Sequence, residues 1–132
     1  MPTIESTNIA IDKFESTIQD NGIVLIDFWA AWCGPCRSFA PVFEKASEKH
    51  GDIVFAKVDT EAQQELAAAF QITSIPTLMA FRDQILLYAQ PGALPANALE
   101  SLIDQIKALD MDDVRKKVAE AQEEHDHHGH NH

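Results

Sequence analysis

The hydrophobic pattern of this 132-residue chain predicts an α/β fold, with a mixed β-sheet carrying helices on both faces. Three observations lead there. Two continuous apolar runs, IVLIDFW (23–29) and IVFAKVD (53–59), have the branched, unalternating character of strands covered on both sides. A helix-period segment joins them, so they should lie parallel with a right-handed crossover. Farther along, TLMAFRDQILLYA (77–89) reads as two strands turned back on a polar corner near residues 82–84, an antiparallel hairpin. Parallel and antiparallel pairs in one chain require a mixed sheet, and the helices between them supply its two outer layers.

The elements follow in order. A weak edge strand is expected near residues 2–6. Residues 9–20 predict a short amphipathic helix, with Ile11, Phe14 and Ile18 at helical spacing before the Asn21-Gly22 break. After the first buried strand the pattern is helical from about Cys33 to His50, through Phe39, Val42, Phe43 and Ala46, with Pro41 expected to kink it. Residues 61–70 read as helical. Residues 94–109 form a clear amphipathic helix with Leu99, Leu102, Ile103, Ile106 and Leu109 on one face and Pro95 in its first turn. No internal repeat is visible.

Residues 1–109 are thus expected to form one domain, and residues 110–132 a charged helix followed by a disordered, His-rich tail. That tail has a thin apolar stripe (Met111, Val114, Val118, Ala121) and then no hydrophobic residue. The net charge is −11, of which −4 falls on residues 110–132. Such a surface repels nucleic acid and anionic membrane, and neither is expected as a partner. The N-terminus lacks a basic segment followed by an apolar one, and no apolar run reaches the roughly 20 residues of a membrane helix. A cytoplasmic protein is expected.

Only two cysteines occur, Cys33 and Cys36, in AAWCGPCRS. A strand, a short loop and a helix place Cys33 near a helix N-cap and Cys36 one turn in. Residues three apart share a helix face, close enough for two sulfurs to bond. The positive end of the helix favours a thiolate at Cys33. The more exposed Cys33 would attack and Cys36 would resolve the mixed disulfide. Gly34 allows close approach of another chain, and Pro35 suits the first turn. A structural zinc site needs four ligands; His50 and the tail histidines are the only imidazoles available, at no fixed spacing. A permanent disulfide is uncommon in a reducing compartment.

DFWAAWCGPC (27–36), AKVD (56–59), SIPT (74–77) and PGA (91–93) together resemble the bacterial-type thioredoxin family with its CGPC active site, over approximately residues 5–109. The resemblance implies a thioredoxin fold and a protein-disulfide reductase, a thiol-disulfide oxidoreductase. It implies no bound cofactor, since NADPH and FAD act through a partner thioredoxin reductase, and disulfide-containing client proteins as substrates. By the same resemblance Cys33 is the nucleophile and Cys36 the resolving thiol. Gly34 and Pro35 tune the pair toward reduction, Asp27 is the buried acid, Lys57 its buried partner, and Pro76 a cis-proline facing the disulfide. A monomer is expected. The rival readings are a disulfide oxidase or isomerase, disfavoured by Gly34-Pro35, and a non-catalytic module using the tail to handle metal.

Asp27 and Lys57 each stand fifth in their runs, so both could point one way from adjacent strands. An unpaired buried carboxylate raises its pKa and becomes able to exchange a proton near neutrality. The alternative is a buried ion pair that only sets local polarity. Trp32, Pro35, Ile75, Pro76, Gly92 and Ala93 are expected to form a flat apolar docking patch around the sulfur, with backbone near Ile75 open to strand pairing. Trp29 is assigned to the core, and Ile75 suits core or patch equally. Five of the six histidines, His125, His127, His128, His130 and His132, lie in HDHHGHNH and are weak candidates for metal. A solvated end with no dedicated ligand is the simpler reading.

Overall fold

The structure, a computed structural model, describes residues 7–8 and 11–130, with side chains from residue 13 to residue 122. Its elements run β1 (Thr7–Asn8), α1 (Ile11–Gln19), β2 (Ile23–Trp29), α2 (Gly34–Lys49), β3 (Val54–Asp59), α3 (Gln64–Ala69), β4 (Thr77–Arg82), β5 (Ile85–Pro91), α4 (Ala96–Ala108) and α5 (Met111–His130). They build one five-stranded sheet in the order β1-β3-β2-β4-β5. β1, β3 and β2 are parallel neighbours, while β4 is antiparallel to β2 and β5 to β4. The mixed sheet is the predicted one. The edge strand expected near residues 2–6 lies outside the described residues, and the pairing that is described falls at Thr7–Asn8.

Alternation along the buried strands sorts their side chains into two layers. Leu25, Phe55, Leu78 and Ala80 point to α2 and α4, where they meet Phe39, Phe43, Ala46, Leu99, Ile103 and Ile106. Val24, Ile26, Phe28, Ala56 and Val58 point to the other face, against Phe14 of α1 and Leu66 of α3. Each fully buried phenylalanine or leucine stabilises the fold by roughly 2–3 kcal/mol. The helical spacings read from the sequence therefore mark the packed faces. Leu109 departs from them: it caps α4 and is 38% exposed.

Several boundaries differ from the sequence pattern, each with a local cause. α3 begins at Gln64 because the Asp59 side chain accepts the Glu61 and Ala62 N–H groups and holds residues 59–62 in a turn. α2 spans Pro41, as the helical pattern from Cys33 to His50 expected. The hairpin corner is two residues, Asp83 and Gln84, at φ 53° and 72°. Asn-Gly ordinarily fills such a corner. Here tertiary bonds hold it: Asp83 N–H donates to the Gly22 carbonyl at 2.8 Å, and Arg115 reaches the Asp83 carboxylate at 3.2 Å.

α5 is helical backbone from Met111 to His130. Composition favours its first half. Residues 114–124 contain neither proline nor glycine and are rich in strong helix formers. Asp110 supplies the start by accepting the Asp112 and Asp113 N–H groups, and Met111 is buried.

Arg82 ties the hairpin to the helical layer. Its guanidinium donates to the carbonyls of Ile106, Lys107 and Leu109 at 2.8, 3.2 and 3.2 Å, satisfying the C-terminal end of α4. Charge-assisted bonds to helix-end carbonyls contribute about 1.5–3 kcal/mol. Arg82→Ala is expected to lower unfolding stability by about 2 kcal/mol, read as an earlier urea midpoint, with disulfide-reductase activity retained under native conditions. An unchanged midpoint would mean water replaces the cap at no cost.

Candidate active site

β2 ends at Trp29, the chain turns through residues 30–33, and α2 begins at Gly34. Cys33 is the N-cap, in extended conformation (φ −88°, ψ 116°), and its Sγ accepts the Cys36 N–H at 3.2 Å. A sulfur in that position receives one of the donors that every helix N-terminus leaves unpaired, along with the positive end of the helix dipole. Both stabilise a thiolate over a thiol. Gly34 and Pro35 occupy the first turn and are exposed. Cys33 and Cys36 are joined as a disulfide, with Cα atoms 5.2 Å apart. The two cysteines differ little in exposure in the disulfide state. Cys33 is 4% exposed and Cys36 3%, so capping geometry rather than exposure distinguishes the sulfurs.

The pair packs with Ala30, Trp29 and Ile75. Trp29, assigned to the core by sequence reasoning, is half-buried and forms one wall of the site. Cys33 Sγ lies 3.7 Å from the Ile75 carbonyl oxygen. Ile75–Pro76 is a cis peptide bond. The Pro76 carbonyl accepts the Gly92 N–H at 2.8 Å, which draws the loop after β5 onto the loop before β4. Gly92 sits at φ +118°, a backbone conformation that L side chains rarely adopt, although a Cβ there would meet nothing within 4 Å. Conformation, not space, selects glycine at this position.

Of the proposed docking patch, Trp32 is 67% exposed, and Gly34, Pro35, Gly92 and Ala93 are exposed. Ile75 is half-buried. Pro76 is buried and therefore shapes the surface instead of presenting itself to a partner. A groove of about 400 Å³ lined by Phe14, Ile18, Leu66 and Phe70 belongs to the opposite layer of the sheet and does not reach the sulfurs.

Asp27 and Lys57 are direct partners in the parallel β2–β3 register, as their positions in the runs suggested. Alternation puts both on the α2 face, with Leu25 and Phe55 one pleat behind and the loop to Cys33 ahead. The two side chains are not hydrogen-bonded to one another. Asp27 is fully buried, and neither carboxylate oxygen has a hydrogen-bond partner in the protein. Lys57 is half-buried, with Nζ 4.8 Å from the centroid of the Trp29 ring. A cation over an indole face keeps part of its solvation while the long stem packs below. Burial pushes the Asp27 carboxyl up from 3.8 to about 7, and the nearby Lys57 charge moderates the rise. Sequence reasoning missed the Trp29–Lys57 contact, although Trp29 two residues after Asp27 on one strand face was the available signal.

A disulfide held at the head of a helix, beside a cis-proline loop and next to an exposed tryptophan in sequence, defines a thiol-disulfide oxidoreductase. Among the described residues no group of three or more His, Cys, Asp or Glu side chains is gathered to hold a metal. The chain belongs to the thioredoxin family, whose family model, Thioredoxin, matches residues 5–105. It is 60% identical over 120 residues to a putative thioredoxin 2 of Streptomyces coelicolor, covering 91% of this chain and 87% of that one. It is 44% identical over 81 residues to a bifunctional thioredoxin reductase/thioredoxin of Mycobacterium leprae, covering 61% of this chain and 17% of that protein. Among solved structures it resembles an N21Q mutant thioredoxin from Halobacterium salinarum, with a TM-score of 0.75, 33% identity, and 83% and 96% of the two chains covered. The protein is accordingly a protein-disulfide reductase of the bacterial thioredoxin type. Its family binds no cofactor of its own, and NADPH and FAD belong to the partner reductase. No helix among the described residues is long and apolar enough to cross a membrane.

Proposed function

We propose that Cys33 attacks client disulfides and Cys36 resolves the product, with Asp27 as the proton acceptor. The single observation behind this is the Cys36 N–H donated to Cys33 Sγ at the head of α2. The Cys33 thiolate attacks one sulfur of the client disulfide, forming a mixed disulfide and releasing the other client sulfur as a thiolate. Asp27 takes the proton of the Cys36 thiol. The Cys36 thiolate then attacks the Cys33 sulfur, and the second client thiolate leaves. Two electrons have passed to the client, and the Cys33–Cys36 disulfide remains. Return to the dithiol takes two electrons from a thioredoxin reductase, a partner that fits a relative carrying both proteins in one chain.

The client would lie across Trp32, Gly34, Pro35, Ile75, Gly92 and Ala93, with Pro76 fixing the floor. An apolar surface of this kind with an exposed backbone edge suits extended peptide segments of varied sequence. Gly34 and Pro35 set the reducing balance of the pair, and Lys57 moderates Asp27. We read the protein as a cytoplasmic monomer. A chain whose two cysteines form the working couple suits a reducing compartment, and a charge of −11 discourages self-association. The test is insulin reduction with NADPH and a bacterial thioredoxin reductase, together with a Cys36→Ser trap. The trap should accumulate one covalent client adduct per chain through Cys33 and release it with dithiothreitol. Adducts forming equally well in the Cys33→Ser chain would assign attack to the wrong sulfur.

A further inference from the structure

The backbone that would meet a client at Ile75 is thinly held. Residues 72–76 lie between α3 and β4 and belong to no helix or strand. Among the described residues, no backbone–backbone hydrogen bond reaches residues 73–75. Their neighbours are tied: the Ile72 N–H donates to the Ala67 carbonyl at 2.9 Å, and the Pro76 carbonyl accepts the Gly92 N–H. Packing beneath the segment is incomplete, because an open cavity of about 160 Å³ lies against Ile72, Thr73, Ser74, Thr77 and Met79. The Ile75 side chain rests on the cysteine pair, and its carbonyl oxygen is 3.7 Å from Cys33 Sγ. One further bond fixes the segment. The Thr77 hydroxyl donates to the Ser74 carbonyl at 2.5 Å. Thr77 is 7% exposed, and a buried hydroxyl is costly unless it is paired.

We propose that Thr77 is a positioning residue of the client surface read above, on which this inference rests: its hydroxyl holds residues 74 and 75 in place, so that the Ile75 backbone pairs with the peptide strand carrying the client disulfide. Thr77 itself is fixed from both sides, since in the sheet it is the partner of Phe28 in β2 and of Pro91 in β5. A side chain reaching three residues back to a carbonyl passes the position of the strand to the loop. Strand pairing is directional and needs N–H and C=O groups already standing at the right spacing. A loop free to shift would have to be ordered by the client, and that ordering subtracts from affinity. A small disulfide without peptide groups makes no such pairing, so the hydroxyl is of no consequence to it.

The experiment is single-turnover oxidation of the pre-reduced full chain by excess disulfide, read by quenched alkylation of the remaining thiols. Two substrates are compared, insulin and hydroxyethyl disulfide, the second having no peptide bond. Thr77→Val keeps the shape and loses the donor, and should slow the reaction with insulin by about tenfold, the order of one hydrogen bond lost. Its reaction with hydroxyethyl disulfide should stay within about threefold of wild type. Thr77→Ser keeps the hydroxyl and should restore the insulin rate to within about threefold. Thr77→Ala removes the hydroxyl with less bulk and carries the same comparison should the valine variant not fold. Equal slowing with both substrates overturns the proposal, since it would mark general damage to the redox pair. So does an unchanged insulin rate in Thr77→Val. Cys33→Ser keeps the two levels apart. If it is inert while the Thr77 variants give either of those results, the Thr77 role alone falls; if it still reacts, the order of attack falls as well.

Discussion

Cys33→Ser is expected to reduce insulin-disulfide turnover by at least about a thousandfold, with the fold intact. Removing the nucleophile of a covalent mechanism eliminates the first bond-forming step, so no downstream group compensates. A serine hydroxyl at the α2 N-cap still accepts the Cys36 N–H, and serine is among the best capping residues, so stability should change little. Cys36→Ser differs in kind. Attack by Cys33 survives and turnover stops after one mixed disulfide. The pair of variants separates attack from resolution in single-turnover measurements. Residual multiple turnover in Cys33→Ser would contradict the assigned order.

Asp27→Asn should raise stability at alkaline pH and slow resolution. The sign follows from linkage. Asp27 has a folded pKa of about 7 against an ordinary 3.8, so the folded state holds the proton more tightly. Its burial costs nothing below pH 3.8, where the carboxyl is protonated folded or unfolded. The cost grows as pH rises from 3.8 toward 7 and is constant above. At its plateau it reaches about 4 kcal/mol. Asparagine, neutral at every pH, mimics the protonated acid. Urea denaturation should therefore give Asp27→Asn close to wild-type stability at pH 3.5 and up to about 4 kcal/mol more at pH 8.5. Loss of a positioned proton acceptor should slow the resolving step by about a hundredfold. Lys57→Met should push the Asp27 titration higher, because the Lys57 charge holds it down. Wild-type turnover in Asp27→Asn between pH 6 and 8 would remove the proton role.

Much of the site was legible because its signals are local. Cys33 and Cys36 are three residues apart, and the strand before them and the helix after them are each written in hydrophobic period. Even the Asp27–Lys57 register could be counted from two strand runs, since parallel pairing advances residue by residue. Where the side chains went was another matter. Lys57 turns to the Trp29 ring instead of to Asp27, and a six-residue strand pattern carries no information on which of two neighbours a flexible ammonium will choose. The near-equal burial of the two cysteines depends on Trp29 and Ile75 closing over them from segments far apart in sequence.

Local periodicity and helix-end chemistry, which need only neighbours in the chain, determined the αβ order, the two-layer core and the redox pair from sequence alone. Three features were decided by tertiary structure alone. Arg82 caps α4, Asp83 and Gln84 are held in a corner normally given to Asn-Gly, and Asp27 is left without a hydrogen-bond partner beneath the active-site helix. Each depends on a group far away in sequence arriving, or failing to arrive, within hydrogen-bonding distance. Desolvation and pairing are settled only when the sheet and helices close around them.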